Sequence, residues 1–398
     1  MTRENKIMVE HVPVNSARLH SLFARHRAFW ERPAGDNALF VTQASTRLTP
    51  IPFLLRQSDG GALRNAERLR PDMFDVPAMV AELADWEPAW EGGVLRTQCQ
   101  WLGHAGVGDS MPMSLAPGKM PWVEAMLGCP IALVDGEPWI APYPGDPEEI
   151  IQRGANFEHT PWFQLYLEFL RQLQVRVGDR FPVTTNTLIR GPGDLVAAVM
   201  GVQAACLAWI ERPRLMARLL RICTDAVLQM IEAGNRLLKP FQGGYPETYG
   251  TLAPGPVVST QDDYSCLISA DMYKKQILPY AREIIQSRPY SVLHLHSGGL
   301  HIAPLLLEFP ELTAIEVSVD SPPAEGRRPY EVQMLRAILE HKSLIVDIGP
   351  PYLDGLADYE ALLAQLPRRG LFLRASFEPA DYAALPEDFP GRRVWLLG

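Results

Sequence analysis

Two histidines one residue apart, His294 and His296, close the apolar run YSVLHLH of this 398-residue chain. Alternate residues of a strand point to one face, so the two imidazoles share a face. An H-x-H pair on a strand can present both rings to one metal ion, or work as acid and base on a substrate. The plainer alternative is a pair of histidines hydrogen-bonded inside a core. Two polar rings on the inward face of an apolar strand are costly without partners, which favours chemistry.

Other polar clusters fall at strand ends. Gln261, Asp262 and Asp263 follow VVST. Paired carboxylates can act as general base, cation ligand or substrate anchor, and a shared site pushes one of them up into the range of a proton donor. Their ordinary role would be to cap the helix that starts a few residues on. Tyr245, Glu247 and Tyr249 lie in GGYPETYGTLAPGP, which reads as a substrate-facing lid or as an Ω-loop. Asp262, Asp263, His296 and Tyr249 are therefore the catalytic candidates. Tyr245, Glu247, Arg190 and Ser297 are the substrate contacts, and His294, His296 and Glu316 the metal ligands. Asp320, Asp347, and Ser376 with Glu378 stand at other strand ends, where each alone reads as a solvated loop residue. His301 reads as a surface residue of the following helix, and His104 is a further candidate in GHAGVGDSMP. No G-x-S-x-G elbow supports a serine nucleophile, and Cys266 has no base beside it.

The elements that position these residues follow from periodicity. SVLHLH is a strand, SGG a turn, LHIAPLLLEF a short helix and ELTAIEVSVD a second strand, ending before Pro322 and Pro323. NALFVTQAS, FPVTTNTL, VVSTQ, SLIVDIG and LFLRAS read as further strands. SARLHSLFARHRAFWER, PRLMARLLRICTDAVLQMIEAGNRLL and SADMYKKQILPYAREIIQSR read as helices. Such alternation implies parallel pairing, and about eight strands suit an α/β (β/α)₈ TIM barrel with an elaborated N-terminal region. A doubly wound open sheet is the second architecture. The chain is read as one domain over 1–398, with 1–90 as an N-terminal helical extension and first strand. The Gly-, Pro- and Trp-rich stretch 92–144 is an insertion or an active-site wall.

Composition narrows the functions. Hydrophobic content of 47% and charged content of 21% are those of a soluble globular chain. The net charge of −9 argues against a nucleic-acid or anionic-membrane partner. There is no run of about 18 apolar residues to span a bilayer. The charged N-terminus MTRENKIMVEHV argues against export, so a cytoplasmic protein is expected. Cys99, Cys129, Cys206, Cys223 and Cys266 form no CxxC and read as mostly reduced and buried. No GxGxxG or GxxxxGK[ST] loop is present, so no nucleotide cofactor is expected.

HLHSGGLHIAPLLLEFPELTAIEVSVDSPP resembles the H-x-C-G-N/D strand–loop–helix–strand of the uroporphyrinogen decarboxylase superfamily, which includes methylcobamide:coenzyme M methyltransferases. VVSTQDDYSCLISADMYKKQILPYAREII, LIRGPGDLVAAVMG and the helix ending EAGNRLL are similar to other segments of that superfamily, in the same order. The resemblance implies a (β/α)₈ barrel with its site at the strand C-termini and a small-molecule substrate. It also implies methyl (one-carbon) transfer, with Zn²⁺ and a corrinoid carried on a partner protein; a homodimer is the expected assembly. LLRQSDGG keeps Arg56 and Gln57 of the R-Q-A-G-R stretch that binds porphyrinogen carboxylates, but not its second arginine. Each missing charge-assisted pair is worth about 1.5–3 kcal/mol, so haem-pathway decarboxylation is not expected. Where the zinc methyltransferases use H-x-C and a late cysteine, this chain has His296 and a position near Ser376. A nitrogen and oxygen donor set replaces the thiolates. A metal-independent decarboxylase of a small acid, held by Arg190, and a non-catalytic binding relative are the alternatives.

Overall fold

The structure is a computed structural model that describes residues 10–14, 16–44, 55–56, 62–84, 89–91, 94–96, 105–117, 120–185, 189–320 and 327–397. Gln57, Cys99, His104, Pro322, Pro323 and the side chain of Arg56 lie outside the described residues.

Seven strands form one parallel sheet: β1 (Leu39–Ala44), β2 (Ile189–Arg190), β3 (Val257–Gln261), β4 (Tyr290–His296), β5 (Ala314–Val319), β6 (Ser343–Ile348) and β7 (Leu371–Phe377). Their order is β2-β3-β4-β5-β6-β7-β1. A doubly wound sheet reverses direction at a switch point. Here each strand from β2 onward pairs with its successor, and β1 pairs in parallel with β7, Phe40 opposite Leu373. That is the order of a (β/α) barrel. Among the described residues no hydrogen-bonded pair joins β1 to β2, so the sheet is a seven-stranded arc.

The period-two rule separates the two faces of this arc. Val258, Leu293, Ile315, Leu344 and Leu371 belong to the large core under the helices. Their neighbours Val257, Val292, Ala314, Ile345 and Phe372 join Leu39 and Val41 in a second, smaller core. The helix α1 (Ala17–Glu31) adds Phe29 and Trp30 to that inner core, with Trp30 edge-on to Tyr290 at 5.5 Å. Ser16 caps α1 by accepting the Leu19 N–H at 3.3 Å. Beside it, Glu10–Val12 pairs in parallel with Val394–Leu397.

Several elements differ from their sequence reading. GGYPETYGTLA is an antiparallel hairpin (Tyr245–Glu247 with Thr251–Ala253), and Ala253 lies in the inner core, so it fills the arc instead of covering its rim. SADMYKKQILPYAREIIQ passes through a π-turn at Tyr273–Ile277. Pro279 has no N–H to give to a carbonyl four residues back, and the ladder widens just before it. A second helix at Val202–Glu211 follows α2 (Pro192–Met200). Cys129, Cys206, Cys223 and Cys266 are free thiols, but Cys206 and Cys266 are exposed. No single described helix is long and apolar enough to cross a membrane.

Candidate metal centre

Moving up the inner face of the arc, the side chains change from apolar to polar within one two-residue step. Val257 gives way to Ser259 and Gln261, and Val292 to His294 and His296. Ala314 gives way to Glu316 and Ser318, Ile345 to Asp347, and Phe372 to Arg374 and Ser376. Parallel register sets these residues side by side: His294 opposite Glu316, and His296, Ser318, Asp347 and Arg374 in one row across β4 to β7.

Asp263 completes the group from the turn after β3. Its Oδ1 lies 3.5 Å from Nε2 of His294 and 3.5 Å from Nε2 of His296. The three ligand atoms all fall within 4.8 Å of one another. The two rings meet edge to face at 4.7 Å. Each histidine is turned by a carboxylate on its other nitrogen: Glu316 bonds Nδ1 of His294, and Asp320 bonds Nδ1 of His296. A carboxylate on Nδ1 fixes the proton there and leaves the Nε2 lone pair free, which is the outer arrangement metal-binding histidines use. Gln261 donates to the other oxygen of Asp263 at 2.6 Å, and Oδ1 is buried without a hydrogen-bond partner among the described residues.

These residues fit a small divalent ion. Donors 3.5 Å apart match the separation that bonds of roughly 2.1 Å to one tetrahedral ion impose on its ligands. The charges agree. The Asp263 carboxylate, with Oδ1 3.5 Å from Nε2, raises the His296 pKa to about 9 against the effect of burial, and the charge of Asp320 adds to it. Burial alone would depress His294, but the hydrogen bond to Glu316 and the charges of Glu316 and Asp263 carry it above its ordinary value.

The expected residues divide into groups. His294, His296 and Asp263 converge. Glu316, expected as a ligand, instead stands behind His294, with Ser318 donating to its other oxygen at 3.1 Å. Tyr249 stacks on His294 at 6.5 Å and 17°. Burial, then the charge of Glu316, pushes its phenol well above the ordinary value. Glu247 is fully buried and accepts from Ser259 Oγ at 2.8 Å, the Tyr249 N–H at 3.0 Å and Thr251 Oγ1 at 3.2 Å. Tyr245 lines a separate cleft with Thr184, Asn235 and Lys239. Arg190 is ion-paired with buried Glu124 at 3.1 Å. Ser297 is buried at the start of a 3₁₀ turn (Ser297–Ile302). Asp262 faces away from the histidines and takes a hydrogen bond from Tyr273; burial, then the charge of Asp194, raises it well above a normal carboxylate. His301 is half-buried, its Nε2 donating to the Ile268 carbonyl at 3.0 Å, and is not the surface residue the helix pattern suggests. Glu378 is exposed, as expected.

Sequence reasoning missed Arg374. Its guanidinium lies 3.1 Å from Asp347 and 5.6 Å from the centre of the Tyr249 ring. The alternation of LFLRAS placed it on the same face as Ser376, and that signal was there to be used.

Comparison with solved structures finds a methyltransferase from Methanosarcina mazei at TM-score 0.56 and 15% identity, covering 92% of this chain and 95% of that one. No family model and no curated protein matches the sequence. At this identity the likeness is one of fold: the chain has the α/β architecture of that methyltransferase, and its three candidate ligands stand at the C-terminal ends of the parallel strands.

Proposed function

We propose that this chain is a uroporphyrinogen-decarboxylase-like barrel enzyme that carries out metal-assisted methyl (one-carbon) transfer on a small substrate, drawing on a corrinoid held by a partner protein. The observation that carries this reading is the convergence of Asp263, His294 and His296, each with its second polar atom engaged from behind. The architecture of the Methanosarcina methyltransferase supports the same class of reaction. Asp263, His294 and His296 would hold the ion, with Zn²⁺ as the first candidate for this donor set. A bound divalent ion would supply Lewis-acid activation of the methyl acceptor.

The chain's own residues do the rest. Glu316 and Asp320 keep protons on the two Nδ1 atoms and aim both Nε2 atoms at one point. Tyr249 packs against His294 and, with the inner core beneath it, keeps water from entering below. Arg374 and Asp347 present a donor and an acceptor in the same row as His296, suited to orienting a polar substrate. The decarboxylase reading needs a cation to hold a carboxylate. Both candidate cations already have their charge matched, Arg190 by Glu124 and Arg374 by Asp347, which favours methyl transfer.

Metal analysis of protein purified without chelator tests the reading. The expected content is close to one equivalent, lost in His296→Ala. Less than about 0.1 equivalent, unchanged in that variant, rejects it.

A further inference from the structure

Each candidate ligand has a group behind its side chain, but Asp263 alone leaves the chain from a turn instead of a strand. Its direction therefore depends on what holds that turn. The turn is the 3₁₀ segment Asp263–Leu267, whose opening N–H groups have no partner within it. Asp194, in the first turn of α2 and 8% exposed, supplies one. It accepts the Tyr264 N–H at 2.6 Å through Oδ1 and the Asp263 N–H at 3.3 Å through Oδ2.

Asp194 is itself fixed by close packing. At Gly191, just before α2, an added Cβ would lie 2.2 Å from the Gln261 carbonyl and 2.4 Å from Oδ1 of Asp262. The other oxygen of Asp262 is held by the Tyr273 hydroxyl from the π-turn. The start of α2, the end of β3 and the π-turn thus interlock around Asp263.

We propose that Asp194 is a positioning residue for Asp263: it sets the backbone from which that carboxylate reaches both histidines. This rests on the metal-assisted reading above. An acid in the first turn of a helix also favours the helix dipole, a structural role that would alter stability without altering the geometry at the ion.

The test uses the full chain stripped of metal and titrated with Co²⁺. It reads affinity, the position of the visible absorption band and the melting temperature of the metal-free protein. Asp194→Asn keeps the shape and one acceptor, and Asp194→Ala keeps neither. Co²⁺ affinity is expected to fall about tenfold in the first and about a hundredfold in the second, with a shifted band in both. Metal-free Asp194→Asn should melt close to the wild type. If Asp194→Ala does not fold, Asp194→Asn decides alone. Wild-type affinity and an unshifted band in Asp194→Asn overturn the positioning role and leave the metal reading standing. A wild-type chain that takes up no Co²⁺ overturns both.

Discussion

His294 and Glu316 stand directly opposite one another on neighbouring parallel strands, and Nδ1 of the histidine bonds Oε2 of a carboxylate that is wholly buried. A buried carboxyl is tolerated where its oxygens are hydrogen-bonded, and here His294 Nδ1 bonds one and the Ser318 hydroxyl the other. Glu316→Gln keeps the shape and removes the charge, so His294 loses both basicity and a fixed tautomer. Metal affinity is expected to fall about ten- to a hundredfold, measured by competition with a chelating dye. An unchanged affinity would mean that the pair only holds two strands in register.

Glu247 gives the fold a pH dependence separate from the candidate metal centre. Burial raises its pKa from 4.5 to about 7, against the pull of its three hydrogen bonds. With the folded pKa above the unfolded one, the stability it contributes is fully present below pH 4.5 and is lost as pH rises through about 7. At pH 8 and above the ionised group costs on the order of 3 kcal/mol. Glu247→Gln mimics the protonated acid. Its melting temperature relative to wild type should climb between pH 5 and pH 8, and a difference that does not change with pH would contradict the assignment.

The strand pattern exposed the histidine face because H-x-H matches the period of a strand. The same rule in LFLRAS and VVST puts Arg374 and Ser259 on the inner face. A single polar residue in an apolar strand carries no direction, however, until the inside of the sheet is known. The hairpin at Tyr245 was hidden for a different reason: three-residue strands are too short to show alternation, and its glycines and prolines look the same in a lid. Glu316 was read as a ligand because its position beside His294 was legible. Whether it meets the ion or the ring's far nitrogen depends on side-chain reach, which spacing does not encode. Asp194 is an acid in the first turn of α2, and nothing in its spacing separates it from other acids at helix starts.

Gly191 is required by close approach, not by backbone conformation: its φ is −70°. An alanine methyl there would meet the Gln261 carbonyl at 2.2 Å and Oδ1 of Asp262 at 2.4 Å; the first is backbone, and the second belongs to a carboxylate whose other oxygen Tyr273 holds. Relief would need α2 and β3 to separate slightly, as in other overpacked sites, at about 1–3 kcal/mol. Gly191→Ala should therefore melt lower than wild type by calorimetry. It should also bind metal more weakly, because Asp194 moves with α2. Lower stability with wild-type metal affinity would show that the interlock does not reach Asp263.

His26 joins α1 to the hairpin that packs under the site. It is fully buried; its Nε2–H donates to the Asp109 carbonyl at 2.6 Å, and its Nδ1 accepts the Leu252 N–H at 3.1 Å. Both ring nitrogens are used in the neutral form, so protonation would break the bond to Leu252. Burial accordingly lowers its pKa to about 4. With the folded pKa below the unfolded one, the stability this histidine confers is present above pH 6.5 and is lost as pH falls through about 4. His26→Phe fills the volume but strands a buried donor and a buried acceptor, each worth about 1–3 kcal/mol. The variant should unfold at a lower denaturant midpoint at pH 7.5, and the gap to wild type should narrow as pH falls toward 4. A gap of constant size over that range would mean that the ring only fills space between α1 and the hairpin.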